Sequence, residues 1–309
     1  MSLYAALAAV FLLQAAASAG GLQVSGGLDA RLRSQEGSAK GVLEGLFLNA
    51  RKVFRDAQGD RLVLVGQLDA DDNFARIRPY QTYLQYKGPL GRWNVRAGHY
   101  ILPFGLLAYY DTERLLLRTQ ELTSLGIKLD TGVEALGYRG SWDYAVSVSQ
   151  GTGRRRLSDT GGSKLVTARL GWSADEVRAG LSGLAGGVLA AEGPSPAPVD
   201  RRTTRLALDA SYPWERWTFR SELALGTDDG RRAGGGILAA DLALGRDWEA
   251  NMKYAYWDSG KALNTGGAGL TWRLRPALFL RAAAERERGG RRADTFSAQV
   301  YYEFSKSLF

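Results

Sequence analysis

In the stretch "RLALDASY" a basic and an acidic residue, Arg205 and Asp209, fall on one side of a strict alternation, with Leu206, Leu208, Ala210 and Tyr212 on the other. Charges repeated at period two line one face of a strand instead of converging on a point. The chemistry they offer is therefore that of a charged wall: pairing between neighbours, a local field, and selection among passing ions. Reaction chemistry finds little footing. The 309-residue chain has no Cys and a single His, His99, which excludes a thiolate nucleophile, a disulfide framework and any Cys- or His-based metal cluster. Ser147 and Ser149 lack the neighbouring base that acyl transfer needs, so no catalytic residue, metal or cofactor is expected.

The elements that must present such faces are strands. The same alternation runs through "EANMKYAYW", where Ala250, Met252, Tyr254 and Tyr256 oppose Glu249, Asn251 and Lys253, and through "TFSAQVYYEF", where Phe296, Val300, Tyr302 and Phe304 oppose Ser297, Gln299 and Glu303. Short turn signals fall at 56–60, 87–92, 140–143, 173–176, 213–216, 245–248 and 275–278. Between them lie longer polar connections: "SQEGSAKG", "DADDNFA", "GTGRRRLSDTGGS", "AAEGPSPAPVDRR", "DDGRRAG", "DSGKALN", "ERGGRRAD" and a much longer one, residues 103–130. Strands flanking seven short and eight long connections number about sixteen, each of roughly 9 to 11 residues. Beyond the first twenty residues no apolar run is long enough to span a bilayer as a helix. In lipid every backbone donor and acceptor must be paired within the protein, so a membrane sheet has to close. The expected fold is all-β: a transmembrane antiparallel β-barrel of about sixteen strands over residues 20–309.

The first residues supply an address. "SLYAALAAVFLL" is a short uncharged apolar stretch, and Ala17 and Ala19 in the following "QAAASAGG" stand at the spacing of a small-residue cleavage site, so residues 1–19 read as a secretory signal peptide. Tryptophan supports the membrane reading. Trp93, Trp142, Trp172, Trp214, Trp217, Trp248 and Trp272 all lie in or near a short turn, which places an aromatic belt at one interface.

Three stretches carry a resemblance. The terminal "TFSAQVYYEFSKSLF" resembles the C-terminal assembly signal of bacterial outer-membrane β-barrel proteins, which ends in Phe, although the outward phase through Phe304 makes Leu308 rather than Phe309 the residue in step. The long connection "LPFGLLAYYDTERLLLRTQELTSLGIKLD" follows the fifth strand, and its position and length are similar to the third loop that sets the constriction of sixteen-stranded porins, which implies a long third outer loop folded into the lumen. Within "VRAGHYILPFGL", the spacing Gly98-x-x-x-x-Pro103-Phe104-Gly105 is similar to a stretch of the phosphate-selective porin O and P family. The resemblance implies a passive channel in the outer membrane of a Gram-negative bacterium. Its implied partners are outer-membrane lipid and lipopolysaccharide, small hydrophilic solutes or anions, and a homotrimer.

Strand phase directs a set of charges inward: Arg31, Arg51, Arg96, Arg169, Arg178, Arg205, Arg220, Lys253, Arg273 and Arg281 against Asp29, Asp69, Asp209, Glu222, Asp241, Glu249, Glu285 and Glu303. The basic excess is mild and predicts a slight preference for anions. In the long loop, Asp111, Glu113, Arg114 and Arg118 are candidates for the constriction, facing an arginine ladder on the wall across a transverse field; Leu115, Leu116, Leu117 and Leu122 would pack the same stretch as a short amphipathic helix. The formal charge of +8 concentrates partly in "GTGRRRLSD" and "ERERGGRRAD", on the outer side, suited to anions or to lipid phosphates. Nucleic acid is not expected, since no recognised basic and aromatic module accompanies these runs. A second reading is a barrel that sheathes a partner such as a cytochrome electron conduit, whose haems would belong to the partner because this chain has no Cys.

Overall fold

A computed structural model describes residues 21–35, 38–57, 59–71, 76–106, 128–153, 164–190, 199–289 and 293–308. The strands are β1 (Leu22–Gln35), β2 (Ser38–Asp56), β3 (Gly59–Asp71), β4 (Arg76–Lys87), β5 (Asn94–Ile101), β6 (Leu129–Arg139), β7 (Trp142–Ser149) and β8 (Leu165–Ala174). They continue with β9 (Val177–Ala190), β10 (Val199–Trp214), β11 (Trp217–Asp228), β12 (Arg231–Ala243), β13 (Trp248–Asp258), β14 (Ala262–Arg275), β15 (Leu278–Arg288) and β16 (Ala293–Leu308). Each pairs antiparallel with its sequence neighbours, and β16 returns to β1, closing a sixteen-stranded barrel. The closing ladder runs from Leu22 opposite Leu308 to Gln35 opposite Thr295 with no shift of register. Leu308 is thus in step with Phe304; Phe309 lies outside the described residues, as does the proposed signal peptide.

All seven short turns connect consecutive strands where their Gly, Pro and Asp residues predict. The opposite rim differs from expectation, because strands run on into polar stretches that read as loops: β1 ends at Gln35 and β2 begins at Ser38, and β13 ends at Asp258 and β14 begins at Ala262. "DDGRRAG" is not a loop: β11 and β12 are joined by Asp229 and Gly230 alone, both at positive φ (49° and 79°), the backbone that a tight two-residue hairpin demands. The strands are also uneven, from 8 residues in β5 and β7 to 19 in β2. Several continue past the bilayer as polar ladders, and polar composition there imitates a loop.

Alternation separates two environments. On β10 Leu206 and Leu208 are 59% and 58% exposed, while Ala207 and Asp209 between and beyond them are 1% and 6%. The exposed set is the lipid face, and residues of the other phase point into the barrel. On the short-turn side Trp142 sits opposite Trp172, Trp214 opposite Trp217, and Trp248 stacks on Trp272 with ring centroids 5.3 Å apart. These cross-strand pairs form the interfacial belt. The eighth tryptophan, Trp257, is buried on the inward phase.

Candidate functional site

Inward positions of a barrel are usually polar, yet the inward phase of β8 to β13 carries Leu165, Leu184, Val188, Ala207, Ala224, Ala233 and Trp257, all buried. What covers them is the start of the third outer connection. Leu102 and Phe104 leave the end of β5 and pack into this cluster, and Leu106 packs against Ile237 of β12. Each of the three is 1% exposed, and burying such a side chain fully is worth about 1.5 to 3 kcal/mol. From β5 the only route to β9, β11 and β12 is through the lumen, so residues 102–106 enter the barrel and seat on its far wall.

Polar bonds fix the seat. The Gly105 amide donates to Ser182 Oγ of β9 at 3.0 Å, and the Leu106 amide donates to Glu222 Oε2 of β11 at 2.7 Å. Arg169 of β8 donates from Nε to the Gly105 carbonyl at 3.3 Å. Gly105 has φ 51°, and a Cβ there would strike the Glu222 carboxylate. Only glycine combines that backbone with that proximity, which gives the Pro103-Phe104-Gly105 motif a physical meaning in this chain. At the other end of the connection Asp130 is fully buried. Its carboxylate accepts from its own chain at Thr131 N (2.9 Å) and from the amides of Gly151, Thr152 and Gly153 at 2.5, 3.2 and 3.3 Å, strapping the next outer connection down.

The predicted arginines take part in this architecture through partners. Arg169 reaches over two strands: Nη2 donates to Asp209 of β10 at 2.6 Å and Nη1 to Asp143 of β7 at 3.2 Å. Gly171 and Gly180 make the path, because a Cβ on either would collide with the guanidinium. Arg96 pairs with Glu134 at 2.9 Å and lies over the rings of Tyr83 and Tyr100. Arg205 pairs with Asp228 at 2.7 Å beneath the lip of the barrel and lies over Trp257. Arg220 pairs with Asp241, and Lys253 with Glu285 at 3.3 Å. Arg281 donates to Gln299 at 2.8 Å between the rings of Phe279 and Tyr301, and Arg273, exposed, lies over Phe279. These groups stand on strands from β5 to β15 at different heights, so they do not make one ladder. Arg96, Arg169, Arg205 and Arg220 each face a carboxylate. Asp111, Glu113, Arg114 and Arg118 lie outside the described residues.

Phase alone placed Glu222, Asp209, Asp241 and Glu285 inward. It gave no sign of the roles of Ser182 and Asp130, nor of which acid meets which base. His99 is buried with Nδ1 3.0 Å from Thr131 Oγ1, a packing role in keeping with its position at the end of β5.

A closed sixteen-stranded barrel with an aromatic belt, in which the first residues of the third outer connection are seated inward, has the fold of the porins. The particular likenesses are distant in sequence. OmpT, an outer membrane protein of Vibrio cholerae in its trimer form, superposes with a TM-score of 0.74 at 11% identity, covering 93% of this chain and 100% of its own. An anion-selective porin from Comamonas acidovorans gives 0.72 at 12% identity over 93% and 100%. A mutant of the Rhodopseudomonas blastica porin gives 0.60 at 14% over 92% and 100%. No family model matches the chain, and no curated protein matches it in sequence. At such identities the likeness establishes the fold.

Proposed function

We propose that the chain is an outer-membrane porin of a Gram-negative bacterium, through which small hydrophilic solutes and ions diffuse passively, and that it acts without catalysing a reaction. The observation that carries this reading is the seat of residues 102–106 on the far wall of a closed barrel, which leads the longest connection into the lumen where it would narrow the path. Alternation supports it: an apolar band outside and polar or paired charged groups inside suit a wall between lipid and water. A mild anion preference is the finer part of the proposal. It rests on the basic excess of the inward phase, with Arg273 as an exposed contributor, and is in keeping with the Comamonas acidovorans neighbour described as anion-selective. The Gly98 to Gly105 spacing supports, more finely still, kinship with the phosphate-selective O and P family, and the neighbour described in trimer form supports a homotrimer.

A liposome swelling assay tests the proposal. Vesicles containing the purified chain should swell in isosmotic solutions of small uncharged sugars, at rates that fall with solute size. Vesicles that stay as tight as protein-free controls would refute it. Block of chloride current by millimolar phosphate would favour the O and P kinship, and its absence would remove that refinement.

A further inference from the structure

Among the described residues, two apolar grooves of nearly equal size lie on the lipid face, and cations of the outward phase stand above one of them. The first, about 550 Å³, spans β10 to β13 between Tyr212, Phe219, Met252 and Tyr254. Its basic lining residues, Arg220 and Lys253, belong to the inward phase and bond Asp241 and Glu285. The second, about 540 Å³, crosses β14, β15, β16 and β1. Its floor is Ala282, Ala284 and Ala298, small where other strands carry Leu, Val or Tyr, and its walls are Leu32, Leu270 and Phe296. Both volumes lie within the roughly 300 to 1,000 Å³ of sites that hold small organic ligands.

Above the second groove the outward phase of β15 runs on from Ala282 and Ala284 to Arg286 and Arg288, toward the long-loop rim. Each step of two residues climbs about 7 Å, so the guanidiniums sit at the upper edge of the apolar band. Both are exposed. Arg286 spends two donors on Asp294, from Nε at 2.8 Å and Nη2 at 3.0 Å, and a guanidinium has five. That pair leaves donors of Arg286 over, and exposed Arg288 adds a second fork two residues higher. An arginine pair of this kind matches phosphate oxygens bidentately.

We propose that this groove and the two arginines bind a multiply acylated, phosphate-bearing lipid of the outer leaflet, the chemistry of the lipid A part of lipopolysaccharide. One acyl chain occupies the alanine floor and a phosphate lies against Arg286 and Arg288. The inference rests on the outer-membrane reading, which puts the long-loop rim in the outer leaflet.

Native mass spectrometry of the detergent-solubilised full barrel with purified lipid A, beside its enzymatically dephosphorylated form, tests the site. Wild type should retain one lipid A per chain, hold the dephosphorylated form at least tenfold more weakly, and be indifferent to added inorganic phosphate. Arg286→Ser/Arg288→Ser and Ala298→Trp should each weaken retention at least tenfold, while single-channel conductance stays at the wild-type value, because all three positions are on the outer face. If Ala298→Trp fails to fold, the exposed arginine variant decides alone. Equal retention by wild type and the arginine variant, or by both lipid forms, overturns the proposal. So does an Ala298→Trp variant that changes the oligomeric state and leaves lipid retention intact, since the face would then belong to a second copy. A barrel that conducts nothing yet shows this retention pattern would refute the channel and leave the lipid site standing.

Discussion

The amide of Leu106 and the carboxylate of Glu222 are 2.7 Å apart, although 116 residues and five strands of the barrel separate them. A bond across that chord commits residues 102–106, the start of the third outer connection, to one side of the lumen. Glu222, 4% exposed, is held in turn by the geometry that surrounds Gly105, with Arg169 bridging the same glycine to Asp209.

Gly105→Ala should loosen this seat. The left-handed backbone costs a non-glycine residue about 1 to 2 kcal/mol, and the new Cβ would press on the Glu222 carboxylate. The expected result is larger and noisier single-channel current from a barrel that still inserts. Current indistinguishable from wild type would show that the seat does not hold the constriction.

Arg169 and Arg273 should behave differently. Arg169 is bonded to Asp209, Asp143 and the Gly105 carbonyl, so Arg169→Ser leaves buried Asp209 without its partner and should lower the temperature of the heat-induced mobility shift. Arg273 is exposed, so Arg273→Ser should spare that temperature and move reversal potentials toward cations at 0.1 M salt. The movement should shrink at 1 M, where the Debye length falls from about 10 Å to about 3 Å. The opposite assignment of effects would mean that Arg169, not Arg273, sets the lumen potential.

Strand count, turn positions and the pairing of the last strand with the first were legible because they depend on local signals: alternation, Gly and Asp at hairpins, Trp beside the short turns. The outer rim was less legible. Around Asp229 and Gly230 the strands rise above the bilayer, and a run such as "DDGRRAG" is polar whether it is ladder or loop. Side-chain partnership was not legible at all. Arg169 meets Asp209 across β9 where Gly180 clears the way, and meets Asp143 beside Gly171, a relationship between five residues on four strands that no single stretch encodes. The apolar residues on the inward phase of β8 to β13 were a signal available in principle, since an inward Leu184 or Trp257 calls for something apolar to cover it.

Asp130→Ala should destabilise the barrel without enlarging the channel. It removes the acceptor of the Gly151, Thr152 and Gly153 amides in a buried place, and an unsatisfied buried donor costs about 1 to 3 kcal/mol. A lower urea midpoint with unchanged conductance is expected; an unchanged midpoint would mean that water replaces the carboxylate.

Removing Leu308 and Phe309 should reduce the yield of folded, heat-modifiable barrel in the membrane. Leu308 forms the last rung of the closing ladder opposite Leu22, and without it the seam between β16 and β1 starts one pair short. Normal assembly of the shortened chain would make the terminal residues incidental.

The most direct measurement is single-channel current of the purified mature chain alone in a planar bilayer, recorded for wild type and for a variant lacking residues 108–125. A steady open conductance that rises in the deletion variant is the predicted result, because the connection anchored at Gly105 and Leu106 would narrow an otherwise open barrel. A wild-type chain that inserts and stays silent, or a deletion that leaves the conductance unchanged, would contradict it.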